Sequence, residues 1–109
     1  MTNEQIKLLS KMKKLIIQGK RRFAIRKDRD YITSLIELGI TEEEAWHYVL
    51  RLNAYYYCHD YKPYYAKKGN ALVFKMEINN NIAYIKLKIE EYNHEEQTVC
   101  LSFHKDYSN

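Results

Sequence analysis

Apolar residues recur at helical spacing in the first half of the chain and at strand spacing in the second half. A first helix is predicted over about residues 3–18, with Gly19 as the signal that ends it. Its apolar positions, separated by lysines, are Ile6, Leu9, Met12 and Ile16. The following segment, KRRFAIR, alternates Phe23 and Ile25 with polar or small residues, which predicts a short strand at a sheet edge.

Two further helices are predicted before residue 53. One begins at Asp28 or Asp30 as the N-cap and stops at Gly39. Its expected buried side chains are Ile32, Leu35 and Ile36. The other opens with a capping box formed by Thr41 and Glu44. Its apolar stripe consists of Ala45, Tyr48, Val49 and Leu52.

Three strands are predicted to complete the chain, at about residues 70–78, 82–90 and 97–104. No internal repeat or linker is visible, so residues 1–109 are interpreted as one domain. The predicted fold class is α+β. It comprises a small antiparallel sheet, made of the C-terminal three-strand meander and the short N-terminal edge strand, with helices packed on one face.

The last strand, TVCLSFHKDY, predicts two faces because side chains alternate along a strand. Its apolar face would carry Val99, Leu101 and Phe103. The opposite face would carry Thr98, Cys100, Ser102 and His104. This second face is either an idle surface or a functional one, depending on its neighbours.

The register of the strands follows from keeping every apolar set on one side. A two-residue turn at Asn79 and Asn80 places Lys75 across from Tyr84. The same turn places Val73 across from Lys86. In the second hairpin, Tyr84 must pair with Ser102 or His104. The predicted result is one solvent-facing patch formed by Lys75, Tyr84, Lys86 and His104.

The net charge of +4 hides an uneven distribution. Residues 1–29 hold ten basic and two acidic residues, a local charge of +8, and the remainder carries −4. The basic segment is either a surface for a polyanion or a solvated lysine-rich helix face. Six of the eleven tyrosines lie in YYYCHDYKPYY, which is an interface, a nucleobase-stacking surface or partly buried packing.

No metal-ligand spacing, glycine-rich phosphate loop or disulfide framework is visible, so neither a metal nor a cofactor is expected. The predicted patch nevertheless holds what RNA cleavage by the ribose 2′-hydroxyl requires. Histidine titrates near neutrality and serves as general acid or base. Lysines stabilise the developing negative charge, and a tyrosine orients the phosphate or transfers a proton.

The segments ITEEEAWHYVLRLNAYYYCHD, AYIKLKI and TVCLSFHKDY resemble the MqsR-type toxins of bacterial toxin–antitoxin systems, within the RelE-like ribonucleases. The resemblance spans about residues 15–107. It implies a RelE-like fold, metal-independent endonuclease activity on mRNA, with or without the ribosome, and an antitoxin partner encoded by an adjacent gene.

The resemblance also implies site residues. The family's strand tyrosine falls on Tyr84, and the basic residue after Ser-Phe falls on His104. His59 stands where the family has a lysine, and Val73 stands where it has a glutamine. Strand facing alone suggests Lys75 as the replacement for that polar group. The expected catalytic set is thus His104, Tyr84, Lys75, Lys86 and His59.

The expected RNA contacts lie in the basic segment, the tyrosine-rich loop and the middle strand of the meander. They are Lys20, Arg21, Arg22, Arg26, Tyr57 and Lys88. Two other classes of function stay open, namely a non-catalytic RNA- or ribosome-binding module and a protein-interaction domain. The N-terminus is too polar for a signal peptide and no apolar run spans a membrane, so a cytoplasmic protein is expected.

Overall fold

A computed structural model of the chain describes residues 1–27, 29–59 and 71–107. Within these ranges the fold is α+β, with three α-helices and one four-stranded sheet. The elements are α1 (Asn3–Ile17), β1 (Arg21–Phe23), α2 (Tyr31–Leu38), α3 (Glu42–Leu50), a short 3-10 helix (Ala54–Tyr56), β2 (Ala71–Ile78), β3 (Asn81–Tyr92) and β4 (Glu95–Lys105). The tyrosine-rich loop from residue 60 onward, and Asp28 as an alternative N-cap, lie outside the described residues.

The three helices begin where side chains satisfy their first backbone N–H groups. Thr2 caps α1 and Thr41 caps α3, each in a capping box. Asp30 caps α2, accepting a hydrogen bond from the N–H of Ile32 at 3.0 Å. At the other end of α2, Gly39 adopts a left-handed conformation with φ of 74°. The cap at Thr41 and the stop at Gly39 confirm the sequence prediction.

The sheet is mixed, with strand order β1-β4-β3-β2. The meander β2-β3-β4 is antiparallel, but β1 runs parallel to β4, so the expectation of a wholly antiparallel sheet is wrong. The reason is the crossover: the chain leaves the edge strand through two helices before the meander begins, and this path allows either direction. The strand at β1 also ends at Phe23, so Ile25 lies beyond it and is 93% exposed.

Both hairpins turn on two residues with positive φ. Asn79 and Asn80 connect β2 to β3 with φ of 50° and 66°. Asn93 and His94 connect β3 to β4 with φ of 51° and 64°. Such φ values match the type I′ turns that suit the twist of paired strands. The predicted turn at Asn79 and Asn80 is confirmed.

A β-bulge interrupts the pairing of β4 with β3. Lys86 pairs with Ser102 and Leu87 pairs with Cys100, which leaves Leu101 without a partner. Cys100 therefore lies on the same side as Phe103, facing the helices. Thr98 does too, and its hydroxyl donates to the carbonyl of Met12 in α1 at 2.9 Å. The predicted grouping of Thr98 and Cys100 with His104 is wrong, because the extra residue reverses the alternation.

The bulge defines two faces of the sheet. The helix face packs its apolar side chains against α1, α2 and α3 to form the core. Its central members are Leu72, Phe74, Ile85, Leu87, Cys100 and Phe103. The outer face carries the other alternating set. Its members are Val73, Lys75, Tyr84, Lys86, Lys88, Val99, Ser102 and His104.

Helix α2 buries Leu35 as predicted, but not Ile32 and Ile36. Its buried residues are Ser34, Leu35 and Leu38, whereas Ile32 and Ile36 are 54% and 69% exposed. An apolar residue therefore lies on both sides of α2, and helical spacing alone does not choose between them. In α1, Ile6 is likewise exposed, while Leu9, Met12 and Ile16 are buried as predicted. No helix in the described part of the chain has the length and apolar content to cross a membrane.

The bulge predicts different reactivities for the two cysteine thiols. Cys100 is buried on the helix face, where burial raises its pKa strongly, whereas Cys58 is half-buried. In the folded protein we expect Ellman's reagent to modify one thiol per chain, and Cys58→Ser to remove that reaction. Both thiols should react in denaturant. Native modification of Cys100 at the rate of Cys58 would contradict the bulge.

Candidate active site

Lys75, Tyr84 and His104 form one row across three strands. Lys75 pairs with Tyr84 in β2–β3, and Tyr84 pairs with His104 in β3–β4. Directly opposed side chains on one face have Cβ atoms about 5 Å apart. Lys86 lies in the next row, between Val73 and Ser102. The predicted strand register is confirmed, and it brings the phenol, the imidazole and the ammonium groups to neighbouring positions.

Three aromatic rings lie nearly parallel at the end of β4. The rings of Tyr84 and His104 have centroids 5.2 Å apart and planes inclined by 19°. The ring of Tyr107 follows on, 6.4 Å from that of His104 with planes inclined by 8°. The Tyr107 hydroxyl donates to the Glu37 carboxylate of α2 at 2.8 Å. Because His104 stacks on Tyr84 and α2 anchors Tyr107, the imidazole has a defined orientation.

The hydrogen bonding of His104 identifies which ring nitrogen carries the proton. Its Nδ1 lies 2.7 Å from the carbonyl oxygen of Lys105. A carbonyl oxygen only accepts, so Nδ1 is the donor, and in the neutral imidazole Nε2 keeps its lone pair. Burial lowers the pKa of His104, and the positive charges of Arg29 and Arg26 lower it further, against the Lys105 carbonyl and Asp106. His104 is therefore a neutral base at physiological pH.

Lys75 is engaged in an ion pair. Its ammonium lies 2.9 Å from the Asp106 carboxylate, which is 12% exposed. The hydrogen bond to Asp106 raises the pKa of Lys75. The backbone N–H of Asp106 also donates to the carbonyl of Ile82 at 2.7 Å. Lys75 thus fixes the chain after β4 onto β2 and β3, and its charge is largely neutralised there.

Two arginines approach the site from the segment between β1 and α2. The Arg26 guanidinium lies 3.4 Å from the Ser102 hydroxyl oxygen and 3.5 Å from the Leu101 carbonyl. Arg29 lines a cavity of about 290 Å³ that also contains His104. Arg26 is among the RNA contacts predicted from the sequence, whereas Arg29 is not. The sequence signal that could have identified Arg29 is the basic run before α2. Because β4 continues past the end of β1, this run lies along the part of the β4 edge that β1 does not cover.

The middle of the outer face is covered rather than open. Val73 and Val99 point to this face and are 1% and 0% exposed. Arg22 and Glu90 flank Val99 from β1 and β3, and their ion pair of 2.8 Å crosses β4 beside it. Lys75, Tyr84 and His104 are half-buried. The predicted solvent-facing patch is thus partly enclosed. Charged groups interact more strongly in such a setting than they do in open water.

Most of the residues predicted to contact RNA lie away from His104 or form ion pairs with carboxylates of the protein itself. Lys20 pairs with Glu95 at 3.2 Å. Arg21 pairs with Glu43 at 3.1 Å and lies over the ring of Trp46, on the helix face. Lys88 lies beside Val99 on the outer face. Of the six residues, Arg26 is the one with a described contact to Ser102, which lies in the row next to that of His104.

Tyr57 and His59 lie at the β2 edge of the sheet, on the far side from β4. The Tyr57 hydroxyl accepts a hydrogen bond from the Gln5 side chain at 2.8 Å, and its ring packs edge-on against Phe74 of the core. The exposed His59 packs edge-on against Tyr57, with centroids 4.8 Å apart. Neither residue makes a described contact with His104. In the described ranges, no three His, Cys, Asp or Glu side chains are arranged to hold a metal ion.

Comparisons with protein-family models, curated proteins and solved structures find no match for this chain. The resemblance to MqsR-type toxins therefore stays a prediction made from the sequence.

The environment of His104 predicts its titration. Because burial and the two arginines lower its pKa, we expect the imidazole signals in NMR to titrate with a midpoint below the ordinary 6.5. Replacing Arg29 by Gln removes a positive charge, so the midpoint should rise. Arg51→Gln, whose guanidinium lies over Tyr48 on α3, is the matched control and should leave it unchanged. A midpoint unmoved by Arg29→Gln would contradict the assigned proximity.

The ion pair of Lys75 predicts a structural cost for its loss. Lys75→Met leaves the Asp106 carboxylate without its ammonium partner, so we expect the free energy of unfolding to fall by about 1 kcal/mol in urea titrations. Lys88→Met, on the same face, serves as control and should change it by less than about 0.5 kcal/mol. Equal effects of the two substitutions would show that the ion pair does not stabilise the fold.

Proposed function

We propose that the chain is a toxin of a bacterial toxin–antitoxin system that cleaves mRNA by attack of the ribose 2′-hydroxyl. The observation that carries this proposal is the state of His104, a neutral imidazole with Nε2 as its free base, stacked on Tyr84 and flanked by arginines. The resemblance to MqsR-type, RelE-like ribonucleases points to the same residues. The reaction requires no metal, because the nucleophile belongs to the substrate.

In this reaction Nε2 of His104 accepts the proton of the 2′-hydroxyl as its oxygen bonds to phosphorus. The bond from phosphorus to the 5′-oxygen breaks, and that oxygen takes up a proton as it leaves. The products are a 2′,3′-cyclic phosphate and a 5′-hydroxyl. Tyr84 is stacked on the imidazole, and its hydroxyl is assigned to orienting the phosphate or to donating this proton.

The negative charge of the transition state requires cations held in place before the reaction. Lys86 stands one row from His104 on the same face, and Arg26 reaches Ser102 in that row. These two residues are assigned to the phosphate. Lys75 is assigned to positioning instead, because its ion pair with Asp106 engages its charge. His59 lies at the other edge of the sheet and is given no role in this scheme.

An antitoxin is the proposed protein partner, and the cytoplasm is the proposed location, since both mRNA and such partners are found there. The basic segment of residues 1–29 would meet an acidic surface on that partner. Co-purification with the product of an adjacent gene tests this part independently of catalysis.

Cleavage is tested by incubating the purified chain with mRNA and analysing the ends. We expect 2′,3′-cyclic phosphate and 5′-hydroxyl termini. His104→Ala should reduce the rate by about 10²- to 10⁴-fold, the usual contribution of a general base, and Tyr84→Phe should also reduce it. Both variants should lose growth arrest on expression.

His47→Ala is the matched control, since His47 lies on the exposed side of α3 and should leave the rate unchanged. Full toxicity of both His104→Ala and Tyr84→Phe would refute the site. RNA binding that weakens steeply with salt, without any cleavage, would favour the non-catalytic alternative.

A further inference from the structure

The cavity beside His104 has walls suited to a planar ligand. It lies between α2 and the end of β4, has a volume of about 290 Å³, and is called the α2 pocket here. Its lining residues are Arg29, Asp30, Thr33, Ser34, Glu37, His104 and Tyr107. The rings of His104 and Tyr107, which stack with planes inclined by only 8°, line this space. A volume at the lower end of small-molecule sites suits one aromatic ring system.

Some polar groups of the α2 pocket already make hydrogen bonds within the protein, and others do not. Both Asp30 carboxylate oxygens accept from α2, one from the N–H of Ile32 and one from the Thr33 hydroxyl. The Ser34 hydroxyl donates to the Asp30 carbonyl. Glu37 uses Oε2 to accept from Tyr107. Apart from Nε2 of His104, which is assigned to the reaction, the groups left for a ligand are therefore Oε1 of Glu37, an acceptor, and the donors of Arg29.

One acceptor and one set of donors beside parallel rings define a class of ligand. Nucleobases stack on aromatic side chains, and their edges carry donors and acceptors. An exocyclic amino group donates to a carboxylate, while the ring nitrogens and carbonyl oxygens accept from arginine. Cytosine offers this combination on a single edge. In uracil, by contrast, the single N–H lies between two carbonyl oxygens, which a carboxylate repels.

We propose that the α2 pocket binds an amino-bearing nucleobase adjacent to the cleaved phosphate, with Glu37 and Arg29 reading its edge and Tyr107 stacking on its ring. This inference rests on the proposed function, because the base is taken to belong to the RNA substrate. It assigns the choice of substrate to α2 and the residues after β4, while the chemistry stays with His104. Glu37 is thus a specificity residue rather than a catalytic one.

The experiment titrates the intact protein with cytidine 5′-monophosphate and uridine 5′-monophosphate, followed by NMR. The two ligands share their phosphate and ribose, so a difference in affinity reports the base alone. We expect cytidine monophosphate to bind about tenfold more tightly, the effect of one good pair of base contacts. The shifted signals should be those of Thr33, Glu37, His104 and Tyr107.

Glu37→Gln is the discriminating variant. Its amide retains an acceptor for the Tyr107 hydroxyl, but the side chain also gains an N–H donor that tolerates the uracil carbonyl. We expect the preference for cytidine monophosphate to fall to less than about threefold. Glu91→Gln, an exposed position on β3 away from the pocket, is the matched control and should keep the full preference.

Equal affinity for the two nucleotides, or a preference that survives Glu37→Gln, would overturn this proposal. Shifts confined to the lysines of α1 would overturn it as well, since they would report phosphate binding alone. Neither nucleotide contains the 3′-phosphodiester bond that the proposed reaction breaks, so the titration measures binding without cleavage. A protein that binds cytidine monophosphate selectively but leaves RNA intact contradicts only the proposed function, and one that cleaves RNA without base preference contradicts only the pocket.

Discussion

The unpaired Leu101 in β4 determines which side chains reach each face of the sheet. Before the bulge, Thr98 and Cys100 face the helices; after it, Phe103 does so. Without the extra residue, one half of β4 would expose its core side chains, because a shift of one position reverses every side chain that follows. The bulge thus permits both a closed core and an outward-facing His104. Bulges re-aim side chains in this way near functional sites.

The electrostatics of the site follow from the position of the end of β4 after this bulge. The strand continues beyond β1, so its edge meets the segment that carries Arg26 and Arg29. These cations disfavour protonation of the imidazole, and the Lys105 carbonyl accepts a hydrogen bond from its Nδ1–H. A base and its surrounding cations are therefore consequences of one arrangement. The lysine that first suggested charge stabilisation, Lys75, is instead committed to Asp106.

Many of the secondary-structure elements and strand pairings could be predicted from the sequence, because they depend on local rules. Caps, turn residues and alternation were sufficient for the helices, for the turn at Asn79 and for the pairing of Lys75 with Tyr84. The parallel direction of β1 was not accessible, since it depends on the path of the crossover. The exposed Ile32 and Ile36 were missed because α2 has apolar residues on two sides. Arg29 was missed because its approach to His104 depends on how three separate elements pack.

The proposed cleavage depends most on one atom, Nε2 of His104. Nitrogen-15 correlation spectra of the imidazole at neutral pH report directly which ring nitrogen is protonated. The hydrogen bond from Nδ1 to the Lys105 carbonyl predicts a neutral ring with the proton on Nδ1 and a lone pair on Nε2. A proton on Nε2, or a doubly protonated ring at neutral pH, would contradict it.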